Sequence, residues 1–322
     1  MELKNYKEHL AHLKHLKLTA KSQTDLSSIA NVIRAFSKDN SYHLDQTSII
    51  YAIIICCLSF ASSMMNKNVY FTILFGILSL VFIKIYITRS SMSTNVGKSI
   101  ITKSVEIFNG LEAKEIDGRV LWSELKDKFP LFLRGDESQE ITQYLQGVTD
   151  KGVTFHLFEF MYVNVDVTES EDNDGNKKTK TTRTIIRIYG LLTIIPNLSG
   201  FSVNTKRYKI KWTSTSKIFN KKFKVYCDSE LNAAKFFTPS TVLKFEDHFN
   251  SLRSIDVRSD HYVCIETESG IIPSNVKAKR IKNTEEFLSQ LENPKVLLLL
   301  NSSKELIDLF YLKSNNNIRE TV

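Results

Sequence analysis

The sequence predicts an α+β protein held in a membrane. It reads as N-terminal amphipathic helices, a two-helix transmembrane hairpin, and a cytoplasmic domain with a mainly antiparallel sheet and flanking helices. Three observations carry this reading. Two apolar runs, Thr47–Met65 and Val69–Ile87, are separated only by Asn66, Lys67 and Asn68, and each is close to the ~20 residues that cross a hydrocarbon core. Beyond them the hydrophobic period changes from helical to alternating, most clearly over Val153–Val167. Strand signals closed by polar turns then mix with capped helical stretches, as in a sheet with helices grouped around it. The expected boundaries are an amphipathic cytoplasmic leader at 1–46, the hairpin at 47–87 (47–65 and 69–87) and the cytoplasmic domain at 88–322.

The leader opens the argument in chain order. Leu3, Tyr6, Leu10, Leu13 and Leu16 recur at steps of three and four, one face of a helix, and Leu26, Ile29, Ile33 and Phe36 repeat the pattern. Such helices lie on the inner leaflet with their lysines at the headgroups, or they pack on the soluble domain or a second subunit. His9, His12 and His15 stand three apart. Steps of three drift by about 60° each on a helix, so these rings fan out and do not converge on a metal. The hairpin orientation follows from lysine and arginine near the membrane. The tip carries Lys67 alone, whereas the leader carries seven basic residues, and Arg89, Lys98 and Lys103 follow the second run. Both termini are therefore expected in the cytoplasm, with a multi-pass anchor and the tip outside.

In the soluble domain a short extended start precedes a helix with Leu121, Leu125 and Phe129 on one face, stopped by Pro130. Ile141, Tyr144 and Leu145 predict a second short helix. Val153–Val167 and Thr181–Ile195 predict a hairpin around the polar turn at Gly175. In the first of these strands the odd positions are expected to be buried and the even ones wet. Further strands are expected at Arg207–Trp212 and Phe219–Tyr226, the latter with Phe219, Phe223 and Val225 inward and the intervening lysines outward. Ser229–Phe236 reads as a short helix. Thr238 and Pro239 open the next, striped by Val242, Phe245, Phe249 and Leu252. Ile255–Val257 and Tyr262–Glu266 predict a hairpin about Ser259 and Asp260. Asn283-Thr-Glu-Glu and Ser302-Ser-Lys-Glu resemble capping boxes that start two last helices.

Composition and motifs narrow the function classes. Of 322 residues, 42% are hydrophobic and 24% charged, the balance of a folded chain. The net charge of +8 is spread out, which suits an anionic membrane face better than nucleic acid. The densest basic stretch, Lys206 to Lys224, has Tyr208, Trp212 and Phe219 interleaved, but on alternating strands lysines form the wet face and aromatics the dry one. Cys56 and Cys57 lie in the first apolar run, and Cys227 and Cys264 stand alone, so reduced thiols are expected. Gly97-Lys98-Ser99 resembles the end of a phosphate-binding loop, yet Met92 occupies the position that needs glycine. Asp172-Asn-Asp-Gly resembles a calcium loop, yet Thr181 stands where the bidentate glutamate belongs. His43, His156, His248 and His261 are isolated in sequence. No catalytic, cofactor-binding or metal-binding residue is singled out, and no cofactor is expected.

Ile188-Tyr-Gly-Leu-Leu, Phe219-Asn-Lys-Lys-Phe-Lys-Val-Tyr and Ala234-Lys-Phe-Phe-Thr-Pro, behind two closely spaced apolar helices, together carry a resemblance. The chain, over roughly residues 45 to 275, resembles the bacterial membrane-protein family known as domain of unknown function 3137, with Lys235 where that family has arginine. The resemblance implies a polar leader, two membrane helices and one α+β cytoplasmic domain, and no assigned chemistry. The functional expectation is a membrane protein whose cytoplasmic domain binds a protein partner, a second copy or the anionic lipid surface. The alternatives are a membrane-anchored hydrolase with a site assembled from scattered residues, and an effector acting on the membrane through the hairpin.

Overall fold

A computed structural model describes residues 2–38, 47–65, 69–171, 177–198, 200–249, 251–268, 271–272, 278–279, 281 and 283–319. His43, the hairpin tip at Asn66–Asn68 and the turn at Gly175 lie outside the described residues. In chain order the elements are α1 (Glu2–Ser22), α2 (Leu26–Lys38), α3 (Thr47–Met65), α4 (Val69–Phe108), β1 (Leu111–Ala113) and α5 (Gly118–Lys126). A 3-10 helix at Pro130–Leu133 leads to β2 (Glu137–Val148), β3 (Thr154–Glu171), β4 (Lys177–Ile194), β5 (Phe201–Val203), β6 (Ile210–Trp212), α6 (Lys217–Lys222) and β7 (Val225–Cys227). Then come α7 (Glu230–Phe236), α8 (Pro239–His248), β8 (Leu252–Val257), β9 (Tyr262–Thr267), α9 (Thr284–Glu292) and α10 (Leu298–Arg319). The chain divides into two units, Met1–Phe108 with Ser274–Lys295, and Asn109–Pro273 with Val296–Val322.

The first unit is helical. α3 and α4 run antiparallel side by side: Cys57 Sγ lies 3.9 Å from Ser79 Oγ, and a Cβ added to Gly76 would lie 3.3 Å from the Phe60 ring. Among the described residues one stretch, Val69–Thr88 of α4, is long and apolar enough to cross a membrane, while α3 is apolar over the shorter Ile49–Met65. α4 continues without a break to Phe108, so the extended start expected soon after the second apolar run comes only at β1. α1 and α2 pack on each other and on α4, and α2 and α4 pack on α9. Leu13, Leu16, Ala20, Ile29 and Ile33 are buried there with Ile100, Ile101, Val105, Phe287 and Leu291. Leu13, Leu16, Ile29 and Ile33 of the leader's apolar stripe are thus covered by helices. The Asp25 carboxylate starts α2 by accepting from the Ser28 amide and both the Ser27 and Ser28 hydroxyls, which hold its pKa at about 2. Gly97-Lys98-Ser99 sits inside α4, where Gly97 lets Ile281 and Phe287 come within 3.1 and 3.3 Å of the space a Cβ would take.

The second unit is built on an antiparallel sheet of nine strands among the described residues, ordered β1-β2-β3-β4-β9-β8-β5-β7-β6. Its spine is the β3–β4 hairpin, paired continuously from Phe155↔Thr193 to Glu171↔Lys177, and β8–β9 is the second expected hairpin. β3 departs from simple alternation: Phe155, Leu157, Phe158, Glu159, Phe160 and Tyr162 are all buried. Both faces are covered. Phe158, Phe160 and Tyr162 pack with Ile188, Leu192 and Cys264 under α5 and the 3-10 helix, through Leu125, Phe129, Leu131 and Phe132. On the other face Phe201 meets Phe236 of α7 at 4.6 Å and Phe310 of α10 at 6.0 Å between ring centroids.

Four sequence expectations are corrected. Ile141–Leu145 is part of strand β2, not a helix. A spacing of four puts Ile141 and Leu145 on one face in either conformation, and pairing with β1 and β3, with two register shifts, decides for the strand. Phe219–Tyr226 is not one strand: Lys217–Lys222 is helix α6 and only Val225–Cys227 pairs in the sheet. Ser216 is its N-cap, its hydroxyl accepting from the Phe219 amide at 3.2 Å and donating to the Glu246 carboxylate. Phe219, Phe223 and Val225 are nevertheless all buried, as expected. Ser302 caps nothing: α10 begins at Leu298 and Ser302 returns its hydroxyl to the Leu298 carbonyl at 3.5 Å. The strand expected at Arg207–Trp212 is confined to Ile210–Trp212.

Candidate functional site

A cleft of about 560 Å³ opens in the second unit where α5 overhangs the ends of β2, β3, β4 and β9. α5 is set by Asp117, whose carboxylate accepts from the Arg119 and Val120 amides, and by Trp122, whose indole N–H donates to the Phe132 carbonyl at 2.8 Å. The β2–β3 turn forms the rim. There Gly152 takes φ +80°, a conformation costly for any side-chain-bearing residue, and Thr149 accepts from the Val153 amide through its hydroxyl at 3.2 Å.

The floor is aromatic. His156 of β3 stacks on Tyr144 of β2, with ring centroids 4.8 Å apart and planes 6° from parallel. Lys128 Nζ sits 4.1 Å from the centroid of Tyr262. Glu124, Lys151 and Tyr311 add polar groups at the edges, and Leu121, Leu125 and Leu192 supply apolar wall. Burial, then the charge of Lys114, push the His156 pKa below its ordinary value, so the ring is neutral near pH 7. Burial, then Glu124, push Tyr144 up to about 12, so it stays a phenol. An apolar cleft with a few convergent polar groups is the usual form of a ligand site. The Thr193 hydroxyl is committed to the Thr154 carbonyl at 2.8 Å.

The sequence singled out none of these residues, because His156 is isolated and Glu124, Tyr144 and Tyr262 come from separate segments. Of the other histidines, His12 and His15 are exposed on α1, and His261 sits at φ 73° in the β8–β9 turn. Among the described residues no three His, Cys, Asp or Glu side chains converge, and the four cysteines are free thiols. Burial pushes the thiols of Cys227 and Cys264 up. Lys206 and Arg207, part of the basic stretch, line a second cleft beside α5.

The lowered pKa of His156 has a consequence for stability. Below its unfolded value of about 6.5 the unfolded chain takes up a proton that the folded ring resists, so stability falls as pH falls through that point towards the folded pKa. His156→Phe keeps a flat ring and removes the titration. Denaturant unfolding at about pH 7.5 and about pH 5.5 should show a smaller acid loss in the variant, and an unchanged loss would mean that His156 is solvated.

In class, the second unit is an α+β body with a nine-stranded antiparallel sheet and a lateral cleft, in a chain that has, among the described residues, one helix long and apolar enough to cross a membrane. No family model, no curated protein and no solved structure matches the chain.

Proposed function

We propose that the chain is a bacterial inner-membrane protein in which α3 and α4 form a transmembrane hairpin and the second unit is a cytoplasmic binding module for a protein partner or the anionic lipid surface. The observation that carries this reading is the apolar surface of the two helices. Ile54, Ile55, Leu58, Phe71, Ile73, Ile77, Leu80 and Val81 are all exposed, and so many large apolar side chains on one pair of helices are unfavourable in water. Hydrocarbon removes that cost, and both helices satisfy their own backbone groups. The basic leader and the basic residues after the second run support a topology with both termini inside. The resemblance to the family of unknown function 3137 supports the same arrangement, and the cleft under α5 is the natural place for the partner to engage.

The expected result is retention in the membrane fraction after carbonate. With the four native cysteines replaced by alanine, Asn66→Cys should react with an impermeant reagent from outside, and Ser91→Cys only from inside. Release by carbonate, or outside labelling at 91, removes the hairpin. His156 favours one second reading, a membrane-anchored hydrolase. A neutral imidazole in a cleft is suited to general-base work, and a hydrolytic activity abolished by His156→Gln would select that reading.

A further inference from the structure

The backbone carbonyl of Lys128 collects two guanidiniums. Arg207 Nη1 donates to it at 3.0 Å and Arg258 Nη1 at 2.6 Å. The three residues come from the turn after α5, the loop before β6 and the β8–β9 turn. Arg207 Nη1 also donates to the buried Asp256 carboxylate at 2.8 Å, and Arg258 Nε to Asp260 at 2.7 Å. These bonds fix both planes while leaving N–H groups over, since a guanidinium carries five. Arg207 and Arg258 then line, with Lys126, Lys128 and Lys206, a cleft of about 520 Å³ beside the one under α5.

The charge does not cancel. Five basic residues line the cleft, the Lys128 ammonium standing over Tyr262 in the neighbouring cleft, and against them stand Asp127 on its wall and the two carboxylates that hold the arginines. Lys126 and Lys128 lie over the rings of Trp122 and Tyr262. Lys206 is exposed and has no ion pair among the described residues. We propose that this cleft binds a phosphate group, carried by a lipid headgroup or by a free phosphate. Pre-oriented guanidiniums match the oxygen fork of a phosphate, and the exposed Lys206 adds a point charge. The site stands whether or not α3 and α4 cross a bilayer.

The test uses the full chain in phosphatidylcholine nanodiscs, titrated calorimetrically with inorganic phosphate at constant ionic strength, and the same chain in discs containing phosphatidylglycerol. Lys206→Glu is expected to weaken phosphate by about tenfold or more, roughly 1.4 kcal/mol. Lys211→Glu, an equal charge change on the exposed face of β6, should leave it within about twofold. Saturable phosphate binding that phosphatidylglycerol does not disturb assigns a free phosphate. A loss of phosphate binding in phosphatidylglycerol discs, or a raised melting midpoint there that Lys206→Glu removes, assigns the headgroup. Equal effects of the two substitutions, or no response to either probe that depends on Lys206, overturn the site.

Discussion

Phe223→Ala is expected to lower the stability of the second unit by about 3–5 kcal/mol, while Lys222→Ala stays within about half a kcal/mol. Phe223 is 2% exposed, at the C-terminal end of α6. Its ring centroid lies 5.1 Å from that of Phe219 and 5.6 Å from that of Phe245, both tilted or edge-on. Those two rings each meet Phe237, which stacks on Trp212 at 5.1 Å. Truncation to alanine removes a whole ring from a cluster made of rings, and rigid aromatics collapse poorly into the cavity left behind. Lys222, one residue earlier, is exposed and reaches back over the Phe223 ring at 5.5 Å. Denaturant unfolding of the full chain, followed by tryptophan fluorescence, reads both variants. Similar losses from the two would mean that α6 presents a different face.

Gly190→Ala is the second large effect, through overpacking. Gly190 lies in β4 between Phe158 of β3 and Glu266 of β9. A Cβ there would fall 2.3 Å from the Ile265 carbonyl oxygen and 2.5 Å from Phe158 Cζ. Neither neighbour can yield cheaply: one is ladder backbone and the other a buried ring wedged 5.1 Å from Phe132. The added methyl is expected to cost about 3 kcal/mol or more. Gly152→Ala makes a useful contrast, since nothing lies within 4 Å of its added Cβ and only its φ of +80° is strained. That change should cost about 1 kcal/mol, and a Gly190→Ala melt no worse than Gly152→Ala would show that the β4–β9 contact is looser than described.

The same residues show which parts of the fold could be read in the sequence. The β3–β4 and β8–β9 hairpins were legible because alternation and polar turns are local signals. α7 and α8 were legible from Ser229, Thr238 and Pro239 at their starts. α6 was not, although Ser216 three residues before Phe219 is an N-cap signal, because Phe219 and Phe223 also fit a strand. β2 failed for the converse reason, its four-residue spacing fitting a helix. In β3 the inward and outward faces were both apolar, and alternation cannot show that a sheet is covered on both sides. The candidate site was the least legible, since no motif links Glu124, Tyr144, His156 and Tyr262.

By itself, then, the sequence determined the α+β class, the two apolar helices, most of the hairpins and the burial of Phe219, Phe223 and Val225. These depend on periodicity, caps and turn residues, which act over a few positions of chain. Only the tertiary structure decided where the leader stripe is buried, whether Ile141 and Phe219 lie in strand or helix, and which charges meet. Arg207 and Arg258 reach the Lys128 carbonyl across 79 and 130 residues of sequence. Their meeting is fixed by the order of strands in the sheet and the seat of α5 upon it. Pairing and burial settle that order over the whole domain, because many weak long-range contacts outweigh the small local preferences of any one segment.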